Sequence, residues 1–193
     1  MNLPNKLTLI RVCLIPFFML FMYIDVPFHY GIALIIFAAA SITDALDGHI
    51  ARKNHLVTNF GKFLDPLADK VLVISALCVF AEIPEVSMSA VPLVIIIARE
   101  FMVSGLRLLA ADSGIVVAAG IWGKLKTAFT MVTIVVIMLW LTILYDFSFG
   151  ISQGIQNIAD IVISVLIWIS VALTIISGLV YLKGYWHLID SDK

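Results

Sequence analysis

Residues 44–69 read DALDGHIARKNHLVTNFGKFLDPLAD, and an apolar run flanks them on either side. The preceding run begins near residue 31 and is rich in Ile, Ala and Phe; the following one, VLVISALCVF, reaches residue 80. Asp44 and Asp47 stand three apart near the end of the first run, and Asp65 and Asp69 four apart at the start of the second. Both spacings place two side chains on one face of a helix. Neither run alternates polar with apolar residues, so helices rather than barrel strands are expected. Two consecutive antiparallel helices joined at this stretch would bring four carboxylates to a similar depth.

The rest of the chain sets the environment of those acids. Of 193 residues, 62% are hydrophobic and 13% charged, with a mean hydropathy of +1.11. Soluble domains run about 45–50% apolar and about 25% charged, and a water-soluble globule of this size cannot hide the difference in one core. The expectation is an all-α integral membrane protein forming one domain over residues 1–193. A span needs roughly 20 apolar residues. Runs of suitable character lie near 7–24, 31–51, 65–81, 88–110, 122–144 and 158–182, predicting a six-transmembrane-helix bundle. The net charge of −1 provides no polybasic surface for nucleic acid. Cys13 and Cys78 sit in apolar runs without metal or redox spacing and read as small buried hydrophobes.

Basic residues orient the bundle. Lys6, Arg11, Arg52, Lys53, Lys62, Arg107, Lys124, Lys126, Lys183 and Lys193 gather at the termini and around the second and fourth breaks, whereas the other breaks carry Asp25, Glu82, Glu85 and Asp146. The positive-inside rule then places both termini in the cytoplasm. Lys6 and Arg11 ahead of an apolar run resemble a signal peptide, but no small-x-small cleavage site follows, so the segment is expected to be retained. Met1–Thr8 is expected to lie along the interface before turning into the first span.

An isolated acid inside a bundle is costly, and four together call for cations. Their hard oxygens suit Mg²⁺ or Mn²⁺, and a pair of such ions can clamp a phosphoryl group. Gly48 and Gly61 permit a ligand to approach the backbone, Ala51 keeps a helix face open, and Arg52 offers a fork of donors to phosphate. Asp65 before Pro66 also fits a helix cap, with proline in the first turn.

The fixed positions of the stretch, Asp-x2-Asp-Gly-x2-Ala-Arg-x8-Gly-x3-Asp-x3-Asp, resemble the signature of the CDP-alcohol phosphatidyltransferase family, and the six-span layout resembles it along the whole chain. The resemblance implies transfer of a phosphatidyl group from CDP-diacylglycerol to an alcohol with release of CMP. It implies Asp44, Asp47, Asp65 and Asp69 as ligands of two Mg²⁺ or Mn²⁺ ions, with Asp69 also the general base. Asp44, Gly48, Ala51, Arg52 and Gly61 would hold the cytidine diphosphate part. No nucleophilic Ser or Cys stands beside the aspartates, so direct attack by the alcohol is expected. A homodimer in the plasma membrane, with its site at the cytoplasmic face and membrane lipid around it, is likewise implied.

Three further stretches resemble the branch of that family whose acceptor is glycerol 3-phosphate: LPNKLT at residues 3–8 with Arg11, IARE at 97–100 with Ser104 and Arg107, and GKLKT at 123–127. A phosphorylated acceptor needs cationic donors, and Arg107, Lys124 and Lys126 stand at helix ends expected to be cytoplasmic. Other readings stay open here. Lys124 and Lys126 also fit lipid-facing anchors, Arg99 and Glu100 fit an internal pair, and Asn5, Thr8 and Arg11 fit either the nucleotide site or an anchor of the first helix. The acceptor could instead be inositol phosphate, serine or phosphatidylglycerol. Against a different class, a cation transporter built on an acidic cluster, the sequence shows no internal repeat and no pair of broken helices of the kind transporters use. His49 and His55 read as loop residues, and His29 and His187, beside Tyr30 and Trp186, as part of an aromatic belt.

Overall fold

The computed structural model describes residues 3–53, 59–112, 120–147 and 150–186. Six α-helices run through them: α1 (Leu3–Tyr23), α2 (His29–Lys53), α3 (Asn59–Glu82), α4 (Ala90–Asp112), α5 (Ile121–Leu141) and α6 (Gln153–Tyr185). A 3₁₀ turn at Pro84–Val86 precedes α4, and a π-helical turn at Thr142–Asp146 extends α5. By length and composition Asn5–Tyr23, Ile121–Asp146 and Gln153–Tyr185 suffice to cross a membrane, and His29–Asp44 is a shorter apolar helix. Three of the six expected spans are therefore full-length apolar helices. Helix α4 falls short because Arg99, Glu100 and Arg107 interrupt it, and Asp69, Lys70 and Glu82 charge α3.

Two local expectations change. No separate interfacial segment precedes the first span among the described residues: α1 is continuous from Leu3 and passes through Pro16. Its sequence offers no Gly or Asn-Pro break at which to turn. Asp65 is not the cap of α3, because that helix starts six residues earlier, at Asn59. Pro66 thus lies inside α3, and without a backbone N–H it donates no helical bond there.

The chain divides into two compact units, Met1–Phe80 with Val135–Gln156, and Ala81–Ile134 with Asn157–Lys193. In the first, α1 packs along α2. Ile15, Phe18 and Met22 bury one face of α1, Ala33, Phe37 and Ala40 bury one face of α2, and the Phe18 and Phe37 rings lie 5.8 Å apart. The start of α2 is capped from a distance in sequence: the Gly31 N–H donates to Asp146 Oδ2 at 2.6 Å. The π turn adds a residue to its last turn and presents Asp146 there, with Tyr145 5.3 Å from Tyr30. His29 adopts a bond within this end of the unit, Nδ1 donating to the Phe21 carbonyl near the end of α1 at 3.0 Å.

In the second unit α5 and α6 meet through hydroxyls, Thr133 Oγ1 lying 3.1 Å from Ser170 Oγ. Thr174 Oγ1 returns its proton to the Ser170 carbonyl. Such hydroxyls bind helices in an apolar medium without leaving a polar group unsatisfied. Gly178 brings α6 close to α4: a Cβ there would come within 3.2 Å of Met102 Cε and 3.3 Å of Arg99 Cγ. Cys13 is exposed and Cys78 half-buried, so the expected burial fails for Cys13. In a lipid-facing helix, an apolar outer face needs no protein cover.

Candidate functional site

In the first unit, the amino-terminal half of α1 carries a buried polar stripe, Asn5, Thr8 and Arg11, continuous with the apolar stripe that follows it. Helical periodicity puts all of them on the face turned toward α2. Arg11 is fully buried, its Nη1 2.7 Å from Asp44 Oδ1, while the Asp44 side chain retains 41% exposure. Arg11 Nε also donates to the Ala40 carbonyl at 3.3 Å, one turn before Asp44. Thr43 Oγ1 donates to the same carbonyl at 2.7 Å, and Ser41 Oγ to the Phe37 carbonyl at 2.8 Å. The guanidinium therefore holds the acid from the protein side and leaves its outer surface open. Arg11 is therefore a buried tie between α1 and α2, which fits the anchoring reading left open for it.

Asp69 lies half-buried on α3. The backbone at Asp47, Gly48, Ala51 and Arg52 is helical in α2, and at Gly61 and Asp65 in α3. The helical backbone is the condition on which the three- and four-residue spacings were read. The side chains of Asp47, Arg52 and Asp65, and the surroundings of Gly48, Ala51 and Gly61, lie outside the described residues, as do His55 and His187; the backbone of His49 is helical within α2, not in the loop expected for it, because α2 continues to Lys53. Among the described residues no group of three His, Cys, Asp or Glu side chains gathers to hold a metal. The donor chemistry fits a hard divalent ion nonetheless: Asp44 offers a carboxylate anchored on one side and open on the other.

In the second unit, α4, α5 and α6 assemble a charged cluster. Glu100 Oε1 accepts from Arg99 Nη1 at 3.1 Å and from the ammonium of Lys126. Arg99 Nη2 donates to Ser177 Oγ. Arg107 Nη2 donates to the Tyr181 hydroxyl at 3.0 Å, which also accepts from the Gly120 N–H at 3.1 Å. The guanidinium carbons of Arg99 and Arg107 each lie 5.6 Å from the centre of the Tyr181 ring. Among the described residues of this cluster, the three cations Arg99, Arg107 and Lys126 outnumber the carboxylate of Glu100 by a surplus of two positive charges. Arg99 and Glu100 do pair internally, as the sequence suggested.

Lys126 is buried in this network, whereas Lys124 and Arg107 are exposed. Lys126 is thus no lipid-facing anchor. Ser177 and Tyr181 escaped the sequence reading. Their signal was present in α6, where Ser170, Thr174, Ser177 and Tyr181 recur on one face of an otherwise apolar helix.

Comparison with known proteins places these features in context. The family model for CDP-alcohol phosphatidyltransferase matches residues 1–176. The CDP-diacylglycerol–glycerol-3-phosphate 3-phosphatidyltransferase of Bacillus subtilis (strain 168) is 40% identical over 206 aligned positions, covering 100% of this chain and 99% of the relative. The enzyme of the same name from Rickettsia bellii is 40% identical, covering 95% of this chain and 94% of its own. That from Haemophilus influenzae is 36% identical over 94% of this chain and 92% of its own.

Proposed function

From the membership of this chain in the CDP-alcohol phosphatidyltransferase family, we infer that it transfers the phosphatidyl group of CDP-diacylglycerol to glycerol 3-phosphate, giving phosphatidylglycerophosphate and CMP. It is a membrane-embedded transferase of phospholipid biosynthesis. The observation that carries the reaction is the match of the whole chain to enzymes named for it. The acceptor hydroxyl attacks the phosphorus of the phosphatidyl group, the bond to the pyrophosphate bridge breaks, and CMP leaves with that oxygen.

Asp44, Asp47, Asp65 and Asp69 would hold a pair of Mg²⁺ or Mn²⁺ ions, and the bound metal would neutralise pyrophosphate charge. Arg11 keeps the Asp44 carboxylate facing outward. Asp69 takes the proton of the attacking hydroxyl. Asn5 and Thr8, with Gly48, Ala51, Arg52 and Gly61, contact the cytidine diphosphate. In the second unit Arg107 receives the acceptor phosphate, assisted by Lys124 and by the surplus charge in which Lys126 takes part. A phosphate monoester carries about −1.5 to −2 near pH 7, which the surplus balances.

The remaining parts of the proposal concern setting. The chain forms one membrane domain over 1–193, spans the plasma membrane six times with both termini and the site on the cytoplasmic side, and works as a homodimer. Support comes from the six helices, the distribution of Lys and Arg and the family resemblance. The deciding experiment supplies detergent-solubilised protein with CDP-diacylglycerol, Mg²⁺ or Mn²⁺, and a panel of alcohols. Phosphatidylglycerophosphate and CMP are expected with glycerol 3-phosphate. Turnover with serine, inositol phosphate or phosphatidylglycerol but none with glycerol 3-phosphate overturns the acceptor assignment.

A further inference from the structure

Tyr181 stands near the end of α6 and is only 4% exposed. Two segments converge on it. Its hydroxyl accepts one hydrogen bond from Arg107 of α4 and one from the backbone of Gly120. Gly120 opens α5, since its carbonyl accepts the first bonds of that helix from Gly123 and Lys124. The ring meanwhile lies at equal distance from the guanidinium groups of Arg99 and Arg107. These arginines are eight residues apart on α4, about 12 Å along the axis, and the negative face of an aromatic ring is attractive to such cations.

The two contacts divide into separable tasks. Ring packing and cation–π attraction need only an aromatic side chain. The hydroxyl adds something phenylalanine cannot: it fixes one edge of the Arg107 fork. Arg107 is exposed and has N–H donors beyond the one given to Tyr181. A guanidinium recognises phosphate through paired donors in one plane, so its orientation matters as well as its charge.

We propose that Tyr181 is a positioning residue for the acceptor: its hydroxyl sets the plane of the Arg107 guanidinium to receive the phosphate of glycerol 3-phosphate. This rests on the assignment of Arg107 to that phosphate. Tyr181 touches Arg107 and not the reacting atoms, so its effect falls on acceptor binding.

The test uses the full chain in detergent and compares Tyr181→Phe, Arg107→Ala and the double variant, with melting temperature recorded for each. Tyr181→Phe should raise KM for glycerol 3-phosphate about fivefold to tenfold, the scale of one ordinary hydrogen bond, since the charge of Arg107 itself is retained. The rise should exceed both the fall in kcat and any change in KM for CDP-diacylglycerol. Combined with Arg107→Ala it should add no further rise, because the hydroxyl acts through the arginine. A purely structural tyrosine would lower the melting temperature and leave KM alone, or multiply the effect of Arg107→Ala; either result overturns the proposal while the Arg107 assignment stands. A normal KM in Arg107→Ala overturns both. Should Tyr181→Phe fail to fold, Arg107→Lys asks the same question with a point charge in place of the fork. A KM rise close to that of Arg107→Ala supports the proposal, and a wild-type KM overturns it.

Discussion

Arg11 lies fully buried beneath Asp44, with Nη1 2.7 Å from Oδ1, while the acid keeps 41% of its side-chain surface exposed. A fully buried guanidinium needs a counter-charge, and a bond to the Ala40 carbonyl does not neutralise it. The pair ties α1 to α2 where the family signature begins. Arg11→Met and Asp44→Asn should each lower the melting temperature, the second by stranding a buried cation, at a cost of about 3 kcal/mol. In the double variant the losses should fall short of their sum by about 1 kcal/mol or more. Strict additivity would show that the two side chains do not interact in solution.

Asp69→Asn preserves size and helix and removes the proton acceptor. CMP release from CDP-diacylglycerol should fall by about 10²–10⁴, with the melting temperature close to that of the parent chain. Near-normal turnover would remove Asp69 from the role of base.

Glu100 receives both Arg99 and Lys126. Glu100→Gln leaves the buried Lys126 ammonium without its carboxylate, a loss on the order of 3 kcal/mol and a clear drop in melting temperature. Lys124, exposed on the same helix as Lys126, should tolerate Lys124→Ala within about 0.5 kcal/mol. Equal melting temperatures for the two variants would place Lys126 in solvent rather than in the cluster.

The cap at the start of α2 can be probed from both ends. Asp146→Ala removes the acceptor of the Gly31 N–H and should cost about 1 kcal/mol. Gly31→Ala places a Cβ 3.2 Å from Asp146 Oδ2, closer than that carboxylate tolerates without shifting, and should cost a similar amount. Both effects should appear in thermal melting, with the double variant little worse than either. A melting temperature unchanged by Asp146→Ala would mean that water replaces the cap at no cost.

Much of this was legible in the one-dimensional record. Apolar runs broken by acids and Gly located all six helices, because each helix satisfies its own backbone and carries its own periodicity. The Arg99–Glu100 pair was readable because neighbours in sequence are neighbours in space. The signature from Asp44 to Asp69 carried the chemistry, since ligand spacing along a helix is local. The start of α3 was misplaced because Asp65-Pro66 is a strong cap signal that the continuing helix overrides. Cys13 was misjudged because hydropathy cannot tell a protein interior from lipid.

The chain's own order of residues determined that it is helical, membrane-embedded and a member of its family. Tertiary structure alone decided which polar groups meet: Arg11 with Asp44 across 33 positions, Asp146 with Gly31 across 115, and Arg107 with Tyr181 across 74. The reason is physical. An apolar helix is specified by its composition, whereas a buried charge is indifferent to where its partner lies in the chain and depends only on which face of which neighbouring helix packing brings within reach.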